Sequence, residues 1–555
     1  MNIVDYLNQH SNTSLKQRPL NALDIACLTE ISYLSFSDSL TSSFEPQEGL
    51  SLQDLALTYQ KRHNREPKEL LIAYEARVDL LHRLAASERF KDVIAFAYSD
   101  YFSEQEETQF AATSFYLDDR ILVVYRGTDS SVIGWKEDFN LSYMESIPSQ
   151  RLAANYLNLL AQATDSSIIV SGHSKGGNLA LYAACYSQAR ANISDVYLFD
   201  APGLQGHLTK STAFKETLPK IHAFRPQASL VGVLFHLPVE TTIIKSYGIS
   251  AMQHLLFLWQ VDTKTCCFVT TDHATPSSRK MQAIANLYLA QASKSDNQTA
   301  IDFVWKLFFK KRADKEPFSV RLKNVYSAMA SSTKAERQRL LAVLSIFFTS
   351  WYTSDIEQDL SDRQKLKPRR MLLKFFYLPE QLASKSPYLG LVTIAFLLWG
   401  AYFFLRNQEL NLLVFSSLYL LALLVTGITA IHRWLKAPKR LSFDYLPGIY
   451  SIATIVLTIL HTQKFSEILP HSMLGFLLLL IAKLLFQSYH IKAYFTEFSK
   501  ALNIISLLGV VFVLTAYHFP SLMAFVTNQG LACLFLYKMI LIITLTYRSF
   551  RARQM

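Results

Sequence analysis

The residues Gly172-His173-Ser174-Lys175-Gly176 set one hydroxyl between two glycines. An apolar run, Ser167-Ile168-Ile169-Val170, comes directly before them, and an alanine-rich segment at 178–190 follows. The order reads as strand, sharp turn, helix. Small residues on either side of Ser174 let a turn lift its hydroxyl out of a sheet, which is where a G-x-S-x-G elbow puts its nucleophile. The same spacing also arises where glycines only let a helix pack close to a strand. The flanking strand and helix favour the chemical reading, because the motif then stands in the context it requires.

A serine nucleophile needs a base, a carboxylate to orient that base, and hydrogen-bond donors for the oxyanion. At such an elbow one donor is the backbone N–H of the following residue, here Lys175. The second comes from a loop after an earlier strand, and "VVYRGTDSSVIGWKEDF" at 123–139 offers it. Gly127 permits an unusual backbone there, and Thr128 has both an N–H and a hydroxyl to present. Taken alone, Arg126-Gly127-Thr128 also reads as an ordinary turn at a strand end. The Lys175 side chain has two readings as well: a surface residue at a helix start, or a positive charge that favours an anionic head group.

The elements that must carry these residues alternate between strand and helix patterns. Segments 110–117 and 121–125 read as a hairpin around Asp118-Asp119, and 167–170, 196–199, 221–224 and 241–244 read as later strands. Helical patterns fall at 152–164, 178–190 and 281–292. This is an α/β sheet domain over 1–300. Residues 301–386 read as a helical, basic linker, and 387–555 as an all-α polytopic membrane domain.

The chain of 555 residues is too long for one ordinary domain. Its second half holds apolar stretches at 389–405, 410–431, 445–460, 472–489, 501–519 and 531–547. Most approach or exceed the roughly 17 to 25 residues that cross a bilayer core. Basic residues sort them. Arg363, Lys365, Lys367, Arg369, Arg370 and Lys374 precede the first stretch, and Arg433, Lys436, Lys439 and Arg440 follow the second. Lys492 and Lys500 follow the fourth, and Arg548, Arg551 and Arg553 follow the last, while the alternate loops hold only Arg406, Lys464 or no basic residue. Basic loops stay on the cytoplasmic side, so both termini and the α/β half are expected in the cytoplasm.

The net charge of +11 gathers largely in these flanking segments, which points to anionic lipid and away from nucleic acid. The run 365–377 interleaves basic and apolar residues as an interfacial helix would. The N-terminus, "MNIVDYLNQHSNTSLKQRPL", has no signal-peptide pattern. Cys27, Cys185, Cys266, Cys267 and Cys533 show no metal-ligand spacing and no secreted framework, so free thiols, no metal and no cofactor are expected.

The pair "YRGTDSSVIGWKEDFN" and "GHSKGGNLALYAA" resembles the Mbeg-like group of bacterial α/β-hydrolase proteins, which are similar to class 3 lipases. "NIVDYLNQH", "ISYLSF", "ETQFAATSF", "FDAPG" and "MQHLLFLWQV" follow the same pattern, so the resemblance covers about the first half of the chain. It implies a lipase-like serine hydrolase fold with Ser174 as nucleophile and Thr128 in the oxyanion loop. One departure stands out. Class 3 lipases carry their acid after the strand matching 221–224, and the corresponding residue here is Ser229, which is no carboxylate. Asp200 ends "VYLFD", one strand beyond the nucleophile, and is the better acid; its other reading is a helix cap. Asp262 is the fallback.

For the base, His207, His222, His236, His254 and His273 follow Asp200. The order nucleophile, acid, base favours a late one. His254 lies in "GISAMQHLLFLW" and matches the Gln-His segment of the resemblance, although a core histidine is the plain alternative; His173 should point away from the elbow. The expected activity is hydrolysis of an acyl ester or thioester, with lipid or another acyl ester as substrate and membrane lipids as surroundings. Two other classes stand beside it. A hydrolase-like membrane interaction or signalling protein would explain Ser229, and a transporter-like membrane half would explain Lys538 within the last stretch.

Overall fold

The computed structural model describes residues 1–308 except 64–72, 118, 130, 249 and 292. It further describes 446–460, 465–518, residues 333, 539 and 543, and scattered positions between 388 and 428. The chain forms two compact units, Met1–Trp351 and Tyr352–Met555.

The first unit is built on an eight-stranded sheet whose spatial order is its sequence order. The strands are β1 (Leu50–Ser51), β2 (Ile94–Ser103), β3 (Thr108–Leu117), β4 (Arg120–Tyr125), β5 (Ser167–His173), β6 (Ile193–Phe199), β7 (Ile221–Pro226) and β8 (Thr241–Ile244). Neighbours from β1 to β4 pair antiparallel, and those from β4 to β8 pair parallel. The hairpin and the four later strands therefore fall where the apolar runs put them. Parallel strands are covered on both faces, so they read as unbroken apolar segments.

Helices α1 (Ile3–His10), α2 (Ala22–Ile31), α3 (Leu52–His63) and α4 (Tyr74–Ala85) precede or flank the first strands. After β4 come α5 (Val132–Asn140), α6 (Pro148–Ala163), α7 (Lys175–Tyr186) and α8 (Thr212–Thr217), and α9 (Pro276–Gln291) and α10 (Lys294–Phe308) close the described part of the unit. Parallel strands in sequential order with right-handed crossovers carry their connecting helices on one face. On that face Leu157, Leu160, Leu179 and Ala183 share one core with Val123, Val170, Val196 and Leu198.

The opposite face then needs another cover, and α2 supplies it. Every residue of α2 from Leu23 to Ile31 is buried, and Thr29 Oγ1 lies 2.9 Å from Ser171 Oγ on β5. Trp259 and Phe268 join Phe199 and Phe224 on this side, with ring centroids 5.5–6.3 Å apart. Two acids, Asp24 and Glu30, interrupt the apolar pattern of this helix. Both are neutralised internally: Asp24 pairs with Arg89 at 2.5 Å and Glu30 with Arg77 at 2.8 Å.

In the second unit α11 (Leu446–Leu460), α12 (Phe465–Ile491) and α13 (Thr496–His518) are described. Within the last two, His471–Ile491 and Phe498–His518 are 21 residues each and apolar enough to cross a bilayer, about 32 Å at 1.5 Å per residue. They pack as a hairpin. Ser488 Oγ lies 2.8 Å from Ser499 Oγ and donates to Asn503 Oδ1 at 2.8 Å, while Leu474, Ile481, Val513 and Ala516 form its apolar seam. The expected spans at 472–489 and 501–519 correspond to these helices. Helix α11 covers 15 described residues, within the stretch expected at 445–460. The spans expected at 389–405, 410–431 and 531–547 and the interfacial run at 365–377 lie wholly or largely outside the described residues.

Candidate active site

Ser174 stands between β5 and α7 with φ 57° and ψ −133°, a conformation that strains any residue with a Cβ. Its N–H donates to Phe199 O at 3.0 Å, which ties the turn to the end of β6. The glycines around it supply space. A Cβ on Gly172 would lie 2.2 Å from the Gly176 carbonyl, and one on Gly176 would lie 2.1 Å from Tyr125 O. Among the described residues no glycine has a positive φ. The expectation of an unusual backbone at Gly127 is thereby corrected: its missing side chain makes room for Tyr33 Oη, which a Cβ would approach to 2.1 Å.

Asp200 follows β6 and is fully buried. Its Oδ2 accepts from His254 Nδ1 at 2.6 Å, and its Oδ1 accepts from Ser229 Oγ at 2.5 Å and from the Gly232 N–H at 3.0 Å. No regular helix starts at Asp200, so the cap reading falls away. Asp262, the fallback acid, is exposed at the end of a two-residue strand and accepts from the Lys264 N–H at 3.0 Å. That bond holds its carboxyl below the ordinary range.

His254 ends a short helical turn, Ser250–His254. Its neighbour Gln253 pins that turn, accepting from the Ala228 N–H at 3.0 Å and donating to Gly248 O at 2.9 Å. With Nδ1–H donated to Asp200, the lone pair of His254 stands on Nε2, the form that can accept a proton. His173 packs against it with ring centroids 4.4 Å apart. The His173 Nε2–H donates to His254 O at 2.7 Å, and its Nδ1 accepts from Tyr33 Oη at 2.8 Å. Burial, and then the charge of His254, push the His173 imidazole well below its ordinary value, so it stays neutral. The residue beside Ser174 thus holds the His254 backbone against the elbow. Among the described residues Ser174 Oγ makes no hydrogen bond to His254. His222 is engaged elsewhere, 2.9 Å from Asp195.

On the other side of the elbow Thr128 Oγ1 donates to Asp138 Oδ2 at 2.6 Å. Asp138 sits on α5, within the 123–139 segment expected to be a loop. Burial pushes its carboxyl up to about 6, against the pull of Lys175. The Lys175 side chain follows neither of its two readings. It is 1% exposed and donates at 2.9 Å to Glu137 Oε2, to Gln109 O and to Gln109 Oε1. Glu137 also accepts from the Gln109 and Ser149 N–H groups, at 3.0 Å each. The charge therefore stays inside, while the Lys175 N–H opens α7, where helix N–H groups have no intrahelical acceptor.

Ser174, Asp200, His254, Thr128 and Lys175 are the residues expected from the sequence, whereas Tyr33, Glu137, Asp138 and the contacts of His173 and Ser229 are seen in the structure alone. Only Asp138 left a local trace, an acid ten residues beyond Thr128 and at helical spacing from Gly134.

The strained serine between strand and helix and the carboxylate-bound imidazole lie in an α/β domain built on a mixed sheet. Residues 84–306 match the sequence model of the family described as Mbeg1-like, so the first half of the chain carries an Mbeg1-like region. Among curated proteins none matches the chain.

Proposed function

We propose that the protein is a membrane-anchored serine hydrolase that cleaves an acyl ester or thioester at the cytoplasmic face. The observation that carries this reading is the 2.6 Å bond between buried Asp200 and His254, packed beside the strained Ser174 elbow. In this reading Ser174 Oγ attacks the acyl carbonyl while His254 Nε2 takes its proton. The N–H groups of Thr128 and Lys175 receive the oxyanion, and Asp138 fixes the Thr128 side chain. His254 then returns the proton to the leaving alcohol or thiol, and water releases the acyl group by the same path reversed. The Mbeg1-like match supports the reaction class.

The hairpin of α12 and α13 supports the anchor. Acyl substrates partition into a bilayer, so an enzyme tethered there meets them at high local concentration. An inactive interaction module was favoured by the serine at 229, but Asp200 supplies the carboxylate that position lacks. Detergent-solubilised full-length protein is to be assayed on acyl esters and thioesters of increasing chain length. Turnover that disappears in Ser174→Ala is expected, and equal turnover in that variant defeats the proposal. Reporters fused after Met555 and near Lys436 should read as cytoplasmic and one near Lys464 as external.

A further inference from the structure

The carboxylate of Asp200 is held from behind as closely as it is held from the front. Oδ2 faces His254, whereas Oδ1 is enclosed by a turn that follows β7. Ser229 is 1% exposed, and its own backbone is fixed at both ends: its N–H donates to Pro226 O at 3.0 Å, and its carbonyl accepts from Ser278 Oγ at 2.7 Å. The Ser229 hydroxyl oxygen accepts from the Gly232 N–H at 2.9 Å, which directs its proton to Asp200 Oδ1. Gly232 abuts the same oxygen so closely that a Cβ there would lie 2.4 Å from Oδ1. Asp200 itself has φ 44°, so its backbone gains nothing from relaxed geometry and depends on these contacts for its aim.

We propose that Ser229, with the Gly232 N–H, is the positioning residue of the acid: from the turn after β7 it fixes the Asp200 carboxylate just beyond the neighbouring β6 and shares its negative charge. The inference rests on Asp200 and His254 serving Ser174 as set out above. The serine at 229 is then the counterpart of the acid at 200. β6 and β7 are neighbours, joined by the Asp200 N–H to Phe224 O at 2.8 Å, so a donor at the end of β7 reaches a carboxylate at the end of β6.

Loss of the Ser229 hydroxyl removes one donor from the carboxylate. With Arg225 still acting on Asp200, and His173 and Asp138 still facing His254, the carboxylate then acts more strongly on His254 and favours the imidazolium. The base consequently becomes protonated at a higher pH, and the carboxylate is free to turn. For Ser229→Ala in the full-length detergent-solubilised protein, fluorophosphonate labelling at Ser174 is expected to slow about tenfold, with the acid limb of its pH profile moved up by about 0.5 to 1 unit. In ester hydrolysis kcat should fall while KM stays. Ser229→Thr keeps the hydroxyl and should restore both the rate and the profile. NMR of labelled histidine should show the His254 imidazole titrating at higher pH in Ser229→Ala than in wild type, a readout that requires no turnover. Equal titration curves and equal profiles in the two proteins overturn the proposal. Absence of Ser174 labelling in wild type counts against the hydrolase reading, and the histidine titration still decides the role of Ser229.

Discussion

Replacing Asp200 by asparagine tests the acid–base pair with almost no change of shape. The side chain can turn only one way. Its carbonyl oxygen must remain at Oδ1, because Ser229 Oγ and the Gly232 N–H both donate there, at 2.5 and 3.0 Å. The amide NH2 therefore replaces Oδ2 and points at His254 Nδ1. Two donors cannot face each other, so Nδ1 gives up its hydrogen and Nε2 carries the proton. A ring with Nε2–H cannot take the proton of Ser174. The same exchange in a serine protease triad costs about 10⁴ in kcat, roughly 5.5 kcal/mol of transition-state stabilisation. Asp200→Asn is expected to lose turnover by that order while its unfolding midpoint stays close to wild type, and Asp262→Asn should change little. Steady-state hydrolysis with a folding control reads both. If Asp200→Asn kept more than a tenth of wild-type kcat, the tautomer argument would be wrong.

Lys175→Met leaves the Glu137 carboxylate charged and buried, so it should cost about 3–5 kcal/mol in denaturant unfolding. Adding Glu137→Gln should recover part of that loss, and a cost below about 1 kcal/mol would contradict the internal ion pair. Asp138 carries a carboxyl pushed up to about 6 by burial. A raised carboxyl costs the fold nothing below its unfolded value near 3.9, and its penalty grows as pH rises from there through about 6. Asp138→Asn keeps an acceptor for Thr128 and removes that penalty. Its thermal midpoint should exceed wild type by more at pH 7.5 than at pH 4.5, and a gap that narrowed with rising pH would refute the burial of this group.

The parts of the site that were legible in the sequence are those whose signal is local. Ser174 announces itself because steric demands at a strand-to-helix turn place Gly172 and Gly176 beside it, and the strands around it are apolar runs because both faces of the sheet are covered. Asp200 was legible as an acid at a strand end. What escaped was decided by partners far along the chain. Lys175 looked like a surface charge because Glu137, 38 residues earlier, cannot be paired with it by pattern. Tyr33 lies 140 residues from His173, and Asp24 and Glu30 interrupt an otherwise apolar α2 whose neutralising partners, Arg89 and Arg77, lie far along the chain. Gly127 showed the limit of residue-type rules. Its role is to leave room for Tyr33 rather than to bend the chain.

The central claim is that Ser174 is an activated nucleophile. Full-length protein in detergent is treated with a fluorophosphonate, digested, and analysed by mass spectrometry for the peptide that contains Ser174. A phosphonylated Ser174 is expected in wild type and no adduct in Ser174→Ala. An adduct on another residue, or labelling of Ser174→Ala equal to wild type, would contradict it.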